Sequence, residues 1–237
     1  MYDTHGNTTS MGDGTNSGAV TAFTYDSSDR NIGIEQTSTA GVTKTNYSRD
    51  VQGRLMYRHH ETNGANVGDD YYGYTASGDS PDFITDTSGA VTEKYITLPG
   101  EVLITVRPDR ASAGARTYSL PNIHGDVFAT VDADGLLKDL SQTGPFGEVL
   151  AVSTVNTATP WNTLNGASFT YVGQHEKLTE SALALTPIQM GARVYIPGLG
   201  RFLSVDSVQG GTPNNYIYAT DAVNDFDLTG EFIPVII

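Results

Sequence analysis

Cysteine is absent from all 237 residues, which excludes a disulfide framework, a thiolate metal site and a cysteine nucleophile. Positive charge is scarce: 13 Lys and Arg stand against 27 Asp and Glu, for a formal net charge of -14. Such a chain is repelled by nucleic-acid backbones and anionic membranes, so neither is an expected partner. No apolar run approaches the roughly 18 residues of a membrane span. Met1-Tyr2-Asp3-Thr4-His5-Gly6 carries neither the basic nor the apolar part of a signal peptide, so an export signal is expected on sequence outside these residues. The histidines His5, His59, His60, His124 and His175 lack ligand spacing, and nothing reads as a P-loop, a GxSxG elbow, an HExxH helix or a dinucleotide fingerprint. Neither a metal nor a cofactor is expected.

Leucine-rich 3.6-residue periodicity is nearly missing as well, and helix is therefore a minor component. What is abundant is turn chemistry and aromatic spacing, with 26 Gly and 13 Tyr. Alternating stretches such as Val102-Leu103-Ile104-Thr105-Val106 and Val127-Phe128-Ala129-Thr130-Val131 are bounded by Gly, Pro, Asp or Asn, as strands are. Asp132-Ala133-Asp134-Gly135 reads as a hairpin turn in which Asp134-Gly135 supplies positive φ, because it lacks the later ligands of a calcium loop. The fold class is all-β.

A period runs through the first part of the chain. Tyr2-Asp3 precedes Gly6-Asn7, Tyr25-Asp26 precedes Asp29-Arg30, and Tyr47-Ser48-Arg49-Asp50 precedes Gly53-Arg54, with the tyrosines 23 and 22 residues apart. That spacing accommodates two short strands and two turns, so each unit is one hairpin. A hairpin buries one face and needs neighbours, which predicts units laid side by side in a sheet. Tyr2, Tyr25 and Tyr47 are then equivalent packing ribs; the alternative is a stripe of rings that stacks on sugars.

These units resemble those of the Rhs/YD-repeat family, named for the tyrosine-aspartate pair. Further likeness lies in Tyr118-Ser119-Leu120-Pro121-Asn122-Ile123-His124-Gly125-Asp126-Val127 and Gly144-Pro145-Phe146-Gly147-Glu148. The most specific part, Gly191-Ala192-Arg193-Val194-Tyr195-Ile196-Pro197-Gly198-Leu199-Gly200-Arg201-Phe202-Leu203-Ser204-Val205-Asp206, is similar to the Rhs-associated core signature. The resemblance covers nearly the whole chain. It implies a hollow β-shell, as in bacterial polymorphic toxins and Tc toxin C subunits, that encloses a C-terminal toxic domain. It also implies a core plug with short helical turns that closes one end, and in many members an aspartyl autoprotease within that core.

Peptide hydrolysis by a carboxylate pair needs two aspartates that meet in space. The resemblance maps them onto Asp206 and Asp227, with Arg193 as the core arginine and a cut near Glu231-Phe232. This chain departs from the family pattern there: Asp206-Ser207, Asp221-Ala222 and Asp227-Leu228 lack the expected prolines, and Glu231 stands where cleaving members carry Leu. Less rigid aspartates serve a catalytic site poorly. The same residues also read as turn and cap aspartates, with Arg193 and Arg201 as structural ion-pair partners.

The expected division is a YD-repeat shell segment over 1–142, a core plug over 143–230 with a short helical turn near Asn214–Tyr218, and a residual tail over 231–237 with no effector domain. The expected function is a secreted or cell-surface encapsulation module. Its partners are the remainder of a larger shell and an enclosed toxin domain. The rival readings are an adhesion module that binds cell-surface glycans and a self-cleaving peptidase.

Overall fold

A computed structural model describes residues 1–12, 14, 18–150, 168–207, 214–219 and 221–231. The chain forms two compact units, Met1–Tyr71 with Glu180–Ile237, and Tyr72–Thr179. The expected division at 142 and 230 follows sequence signatures; compactness divides the chain elsewhere.

In the first unit, strands β1 (Ser10–Gly12), β2 (Val20–Tyr25), β3 (Asn31–Ser38), β4 (Gly41–Arg49), β5 (Leu55–Thr62) and β6 (Ala65–Gly73, whose last two residues belong to the second unit) pair antiparallel in chain order. The second unit repeats the plan with β7 (Phe83–Thr85), β8 (Val91–Thr97), β9 (Leu103–Val106), β10 (Arg116–Pro121), β11 (Val127–Asp132) and β12 (Leu137–Leu140). The chain then returns to the first unit as a 3-stranded sheet of β13 (Ile188–Met190), β14 (Arg193–Ile196) and β15 (Arg201–Phe202). Among the described residues, helix is confined to short 3-10 turns at Ser112–Ala115, Gly173–His175 and Pro197–Leu199. The turn expected to be helical near Asn214–Tyr218 is a single hydrogen-bonded turn, Ile217 N to Asn214 O at 3.1 Å, followed by a bridge between Ile217 and Arg201.

The sheet repeats because its turns repeat. At Asp3, Asp26, Asp50, Asp86, Asn122 and Asp132 the same residue opens a five-residue turn. Its backbone N–H donates to the carbonyl four residues on, and its carbonyl accepts from the residue three on. Its side chain then accepts backbone N–H groups two and four residues on, as Asp50 Oδ1 does from Gln52 and Arg54, both at 2.9 Å. The fourth position is left-handed in every case and is Gly except at Asp29, where φ is 60°. This is a type I turn closed by a left-handed residue, and it forces a bulge at the residue before it. The register accordingly shifts at Thr24/Tyr25, Ser48/Arg49 and Ile84/Thr85.

That register corrects the expected equivalence of the tyrosines. Tyr2 and Tyr25 immediately precede their turn aspartates, but Arg49 holds that place before Asp50, and Tyr47 takes the position of Phe23. Phe23 and Tyr47 are 4% and 5% exposed, whereas Tyr2 is 58% exposed. Hydrogen bonds of the turn fix the repeat, and the aromatic spacing drifts around it. The three rings therefore do not form one exposed stripe. In β2 the alternation is clean, with Thr21 and Phe23 buried and Val20, Ala22 and Thr24 exposed. Phe23, Ile34, Tyr47 and Leu55 supply the buried face, each worth about 1.5–3 kcal/mol when removed from water.

The first hairpin unit packs against the segment around β15. Thr8 N donates to Leu203 O at 2.8 Å, and Tyr216 Oη donates to Gly6 O at 2.6 Å. Next to these, Tyr195, Phe202 and Tyr218 are fully buried with ring centroids 4.5 to 5.8 Å apart. This aromatic cluster is the floor on which the site below is built.

Candidate functional site

Arg193 opens β14 and is 4% exposed. Its position follows from the turn before it. Gly191 has φ of 61° and lies so close to Thr229 that a side chain there would strike the Thr229 backbone, while Ala192 N donates to Thr229 O at 2.8 Å. Gly230, with φ of 65°, makes the reciprocal approach to Met190. Two left-handed glycines thus let residues 227–231 lie against the β13–β14 turn.

The guanidinium gathers what this approach brings together. Arg193 Nη2 donates to Asp206 Oδ2 at 2.8 Å and to Asp227 Oδ2 at 3.1 Å. Nη1 donates to Asn215 O at 3.1 Å, and Nε donates to Gly230 O. The cation also lies 3.8 Å above the centre of the Phe202 ring. Asp227, 1% exposed, uses Oδ1 to accept from Gly230 N at 2.9 Å and from Thr229 Oγ1 at 3.3 Å. Burial holds the Arg193 guanidinium below its ordinary range, and Asp206 and Asp227 oppose that only in part.

Asp206, Asp227 and Arg193 are therefore together. Each carboxylate accepts from Arg193, whereas a catalytic dyad needs one carboxyl to donate to the other. Arg201 is elsewhere: its guanidinium lies 4.3 Å over the Tyr216 ring and not on the carboxylates. Asp221 closes a turn, accepting from Val223 N at 3.2 Å and from Asn224 Nδ2 at 2.7 Å. Phe232 and the residues after it lie outside the described residues. Tyr171 is fully buried, with its hydroxyl donating to Pro145 O at 3.0 Å.

Sequence reasoning missed a second buried ionic group. Glu180 has no exposed surface; Arg58 Nε and Nη2 donate to its two oxygens at 2.9 and 2.7 Å, and Tyr47 Oη donates at 2.8 Å. Arg58 also reaches Asp70 at 2.9 Å. Burial, with Glu180 beside it, pushes the Tyr47 hydroxyl well above its usual range. Glu180 and Arg58 are far apart in sequence, and the only local signal was a charged residue ahead of the apolar run Ala182-Leu183-Ala184-Leu185.

In the second unit Asp126 plays a joining role. Its Oδ1 accepts from Val172 N at 2.9 Å and from His124 Nδ1 at 3.0 Å, and Oδ2 accepts from Thr143 Oγ1 at 3.0 Å. Burial works to raise its carboxyl, but these donors prevail and hold it below the ordinary range. Among the described residues, no three His, Asp or Glu side chains are arranged to hold a metal.

No protein-family model matches the chain, and no curated protein matches it. Solved structures do. The Photorhabdus luminescens Tc holotoxin pore, carrying a mutation in TccC3, superposes with a TM-score of 0.63 at 17% identity, over 99% of this chain and 11% of that one. The TcdB2-TccC3-Cdc42 structure gives 0.62 at 17% identity over 89% of this chain and 10% of that one. TcdB2-TccC3 gives 0.58 at 17% identity, over 86% and 10%. The fold is that of a Tc toxin Rhs-type shell. The likeness is one of fold, and the chain spans about a tenth of the length of the chains it matches.

Proposed function

We propose that this chain is a wall segment, with its closing plug, of a shell that works outside the producing cell and encloses a toxic domain. The observation that carries this reading is the fold itself: strands paired in chain order by repeated aspartate turns, followed by a small sheet that returns to the first hairpins. Within it, Arg193 acts as a clamp. It draws Asp206, Asn215, Asp227 and Gly230 to one cation and so fixes the end of the plug. An Arg fork with several acceptors suits such a buried junction better than Lys would.

A second reading is favoured by one feature of the same cluster. Asp206 and Asp227 meet at a guanidinium that also holds the Gly230 carbonyl, one residue from the Glu231-Phe232 bond at which self-cleavage is expected. One experiment separates the two. A reporter domain is fused after Ile237, and intact mass is followed over time beside Asp206→Asn and Asp227→Asn controls. The clamp reading predicts an uncut fusion in all three. Efficient cleavage near Glu231-Phe232 that disappears in both controls establishes the peptidase instead. Enclosure is tested in the natural gene product that contains this chain, by the rate at which trypsin digests the domain downstream. Digestion as fast as that of the free domain overturns it.

A further inference from the structure

The second unit lacks any covalent tie that cysteine would supply, yet near its two ends it places a lysine against an aspartate in an unusual setting. Lys177 is 4% exposed, and its Nζ lies 2.6 Å from Asp79 Oδ2. Asp79 sits in the loop between Gly73 and Asp82, whose ends are joined by Asp82 N donating to Gly73 O at 2.8 Å. Ser80 Oγ, next to Asp79, donates to His175 O at 3.0 Å and holds the loop over the turn that carries the lysine. Beside the pair is Glu176, in the left-handed conformation with φ of 54°. Its Oε2 is buried and has no hydrogen-bond partner among the described residues.

We propose that Lys177 and Asp79 condense into an intramolecular isopeptide bond, with Glu176 relaying the protons. The amine first passes a proton to Asp79 Oδ2, 2.6 Å away, and its lone pair attacks Asp79 Cγ to form the C–N bond. Glu176 in its acid form protonates the departing oxygen, then recovers a proton from Nζ as the C–O bond breaks. The products are one amide and one water. One hydrogen of that water comes from Nζ directly and the other from Glu176, which Nζ reprotonates, so Glu176 is regenerated and no oxidant or reductant is needed. Burial, with Asp82 and Asp79 nearby, pushes the Glu176 carboxyl up to about 8, against a partial opposing pull from Lys177, so the proton it must donate is present at neutral pH.

Condensation in water is uphill for free partners. Held at contact distance they react as if at effective molarities of about 10⁵–10⁸ M, which offsets that cost. The 38% exposure of the Asp79 side chain gives the released water a way out. The bond would close nearly the whole of Tyr72–Thr179 into one loop, doing for this unit what a disulfide does elsewhere by limiting its unfolded states.

The test is the intact mass of the full chain, denatured after prolonged incubation in its folded state, with peptide mapping. A mass lower by one water, and a branched peptide joining the Asp79 and Lys177 fragments, is the expected result. Lys177→Arg and Asp79→Ala should restore the full mass. Glu176→Gln should slow the loss by about a hundredfold or more, the usual contribution of a positioned proton-transfer group. A wild-type chain at its full mass overturns the proposal. So does a water loss that maps to Asp134-Gly135, where succinimide formation gives the same mass change.

Discussion

The aspartate turns of residues 1–71 and the ionic groups of residues 180–231 both use carboxylates to satisfy donors, but on opposite terms. Asp3, Asp26 and Asp50 accept from backbone N–H groups two and four residues away, at the surface, and each turn is complete in itself. Glu180 and Asp227 are buried, and their charged partners Arg58 and Arg193 come from distant parts of the chain. The first kind can be copied along a chain without regard to its surroundings. The second exists only once the fold does, and losing one partner strands a charge in a place water cannot reach.

The largest expected effect lies on the buried side of this comparison. Glu180→Ala or Arg58→Ala should cost about 3–5 kcal/mol, because either leaves an uncompensated buried group. Replacing both by apolar residues of similar volume should recover most of that loss. Urea denaturation measures both, and two near-neutral single variants would break the distinction between the two regions.

Glu176 provides a pH test of burial in the second unit. Its carboxyl is raised from 4.5 to about 8 by burial and by Asp82 and Asp79, with Lys177 pulling the other way. Burial and Asp82 act on it with or without the cross-link. The folded state then holds more protons than the unfolded state between these values, so stability falls as pH rises through that window. In a Lys177→Arg background, which cannot form the cross-link, adding Glu176→Gln should therefore leave the melting temperature unchanged below about pH 4 and raise it at about pH 9. A variant that melts lower at both would show that the carboxylate is satisfied in a way the geometry does not contain.

Smaller effects are expected in the turns. Gly53 has φ of 85°, so Gly53→Ala should cost about 1–2 kcal/mol. Asp50→Ala removes acceptors from Gln52 and Arg54 but leaves their N–H groups near water, for about 1 kcal/mol. Amide exchange confined to 49–55 would show that the damage stays local. The smallest belongs to His5–Asp29, a 2.8 Å pair whose side chains are 62% and 43% exposed. Asp29 raises the imidazole above its usual 6.5, so any stability it adds is complete below that pH and lost as pH rises through the raised value. His5→Ala should leave the melting temperature unchanged at neutral pH.

Much of this architecture is legible in the order of residues alone. Gly, Asp and Asn at fixed offsets mark the turns, because left-handed backbone and side-chain-to-backbone hydrogen bonds are local demands that only a few residues meet. Likeness to a known core brings Asp206, Asp227 and Arg193 together in expectation, and the structure places them on one guanidinium. The repeat itself is misjudged by following the tyrosine: Tyr47 belongs with Phe23, since hydrogen bonding at Asp50 and the bulge at Arg49, not the aromatic, set the register.

The sequence by itself determined the class of the fold, the places where the chain turns and the exclusion of thiol chemistry, because each depends on residues within a few positions of one another. Only the tertiary structure decided that Glu180 would be neutralised by Arg58, that Arg193 would hold Gly230 as well as two aspartates, and that Lys177 would meet Asp79. Those pairings span long stretches of chain. They are worth their desolvation only where packing removes water and supplies the remaining donors, a condition that no local pattern of residues encodes.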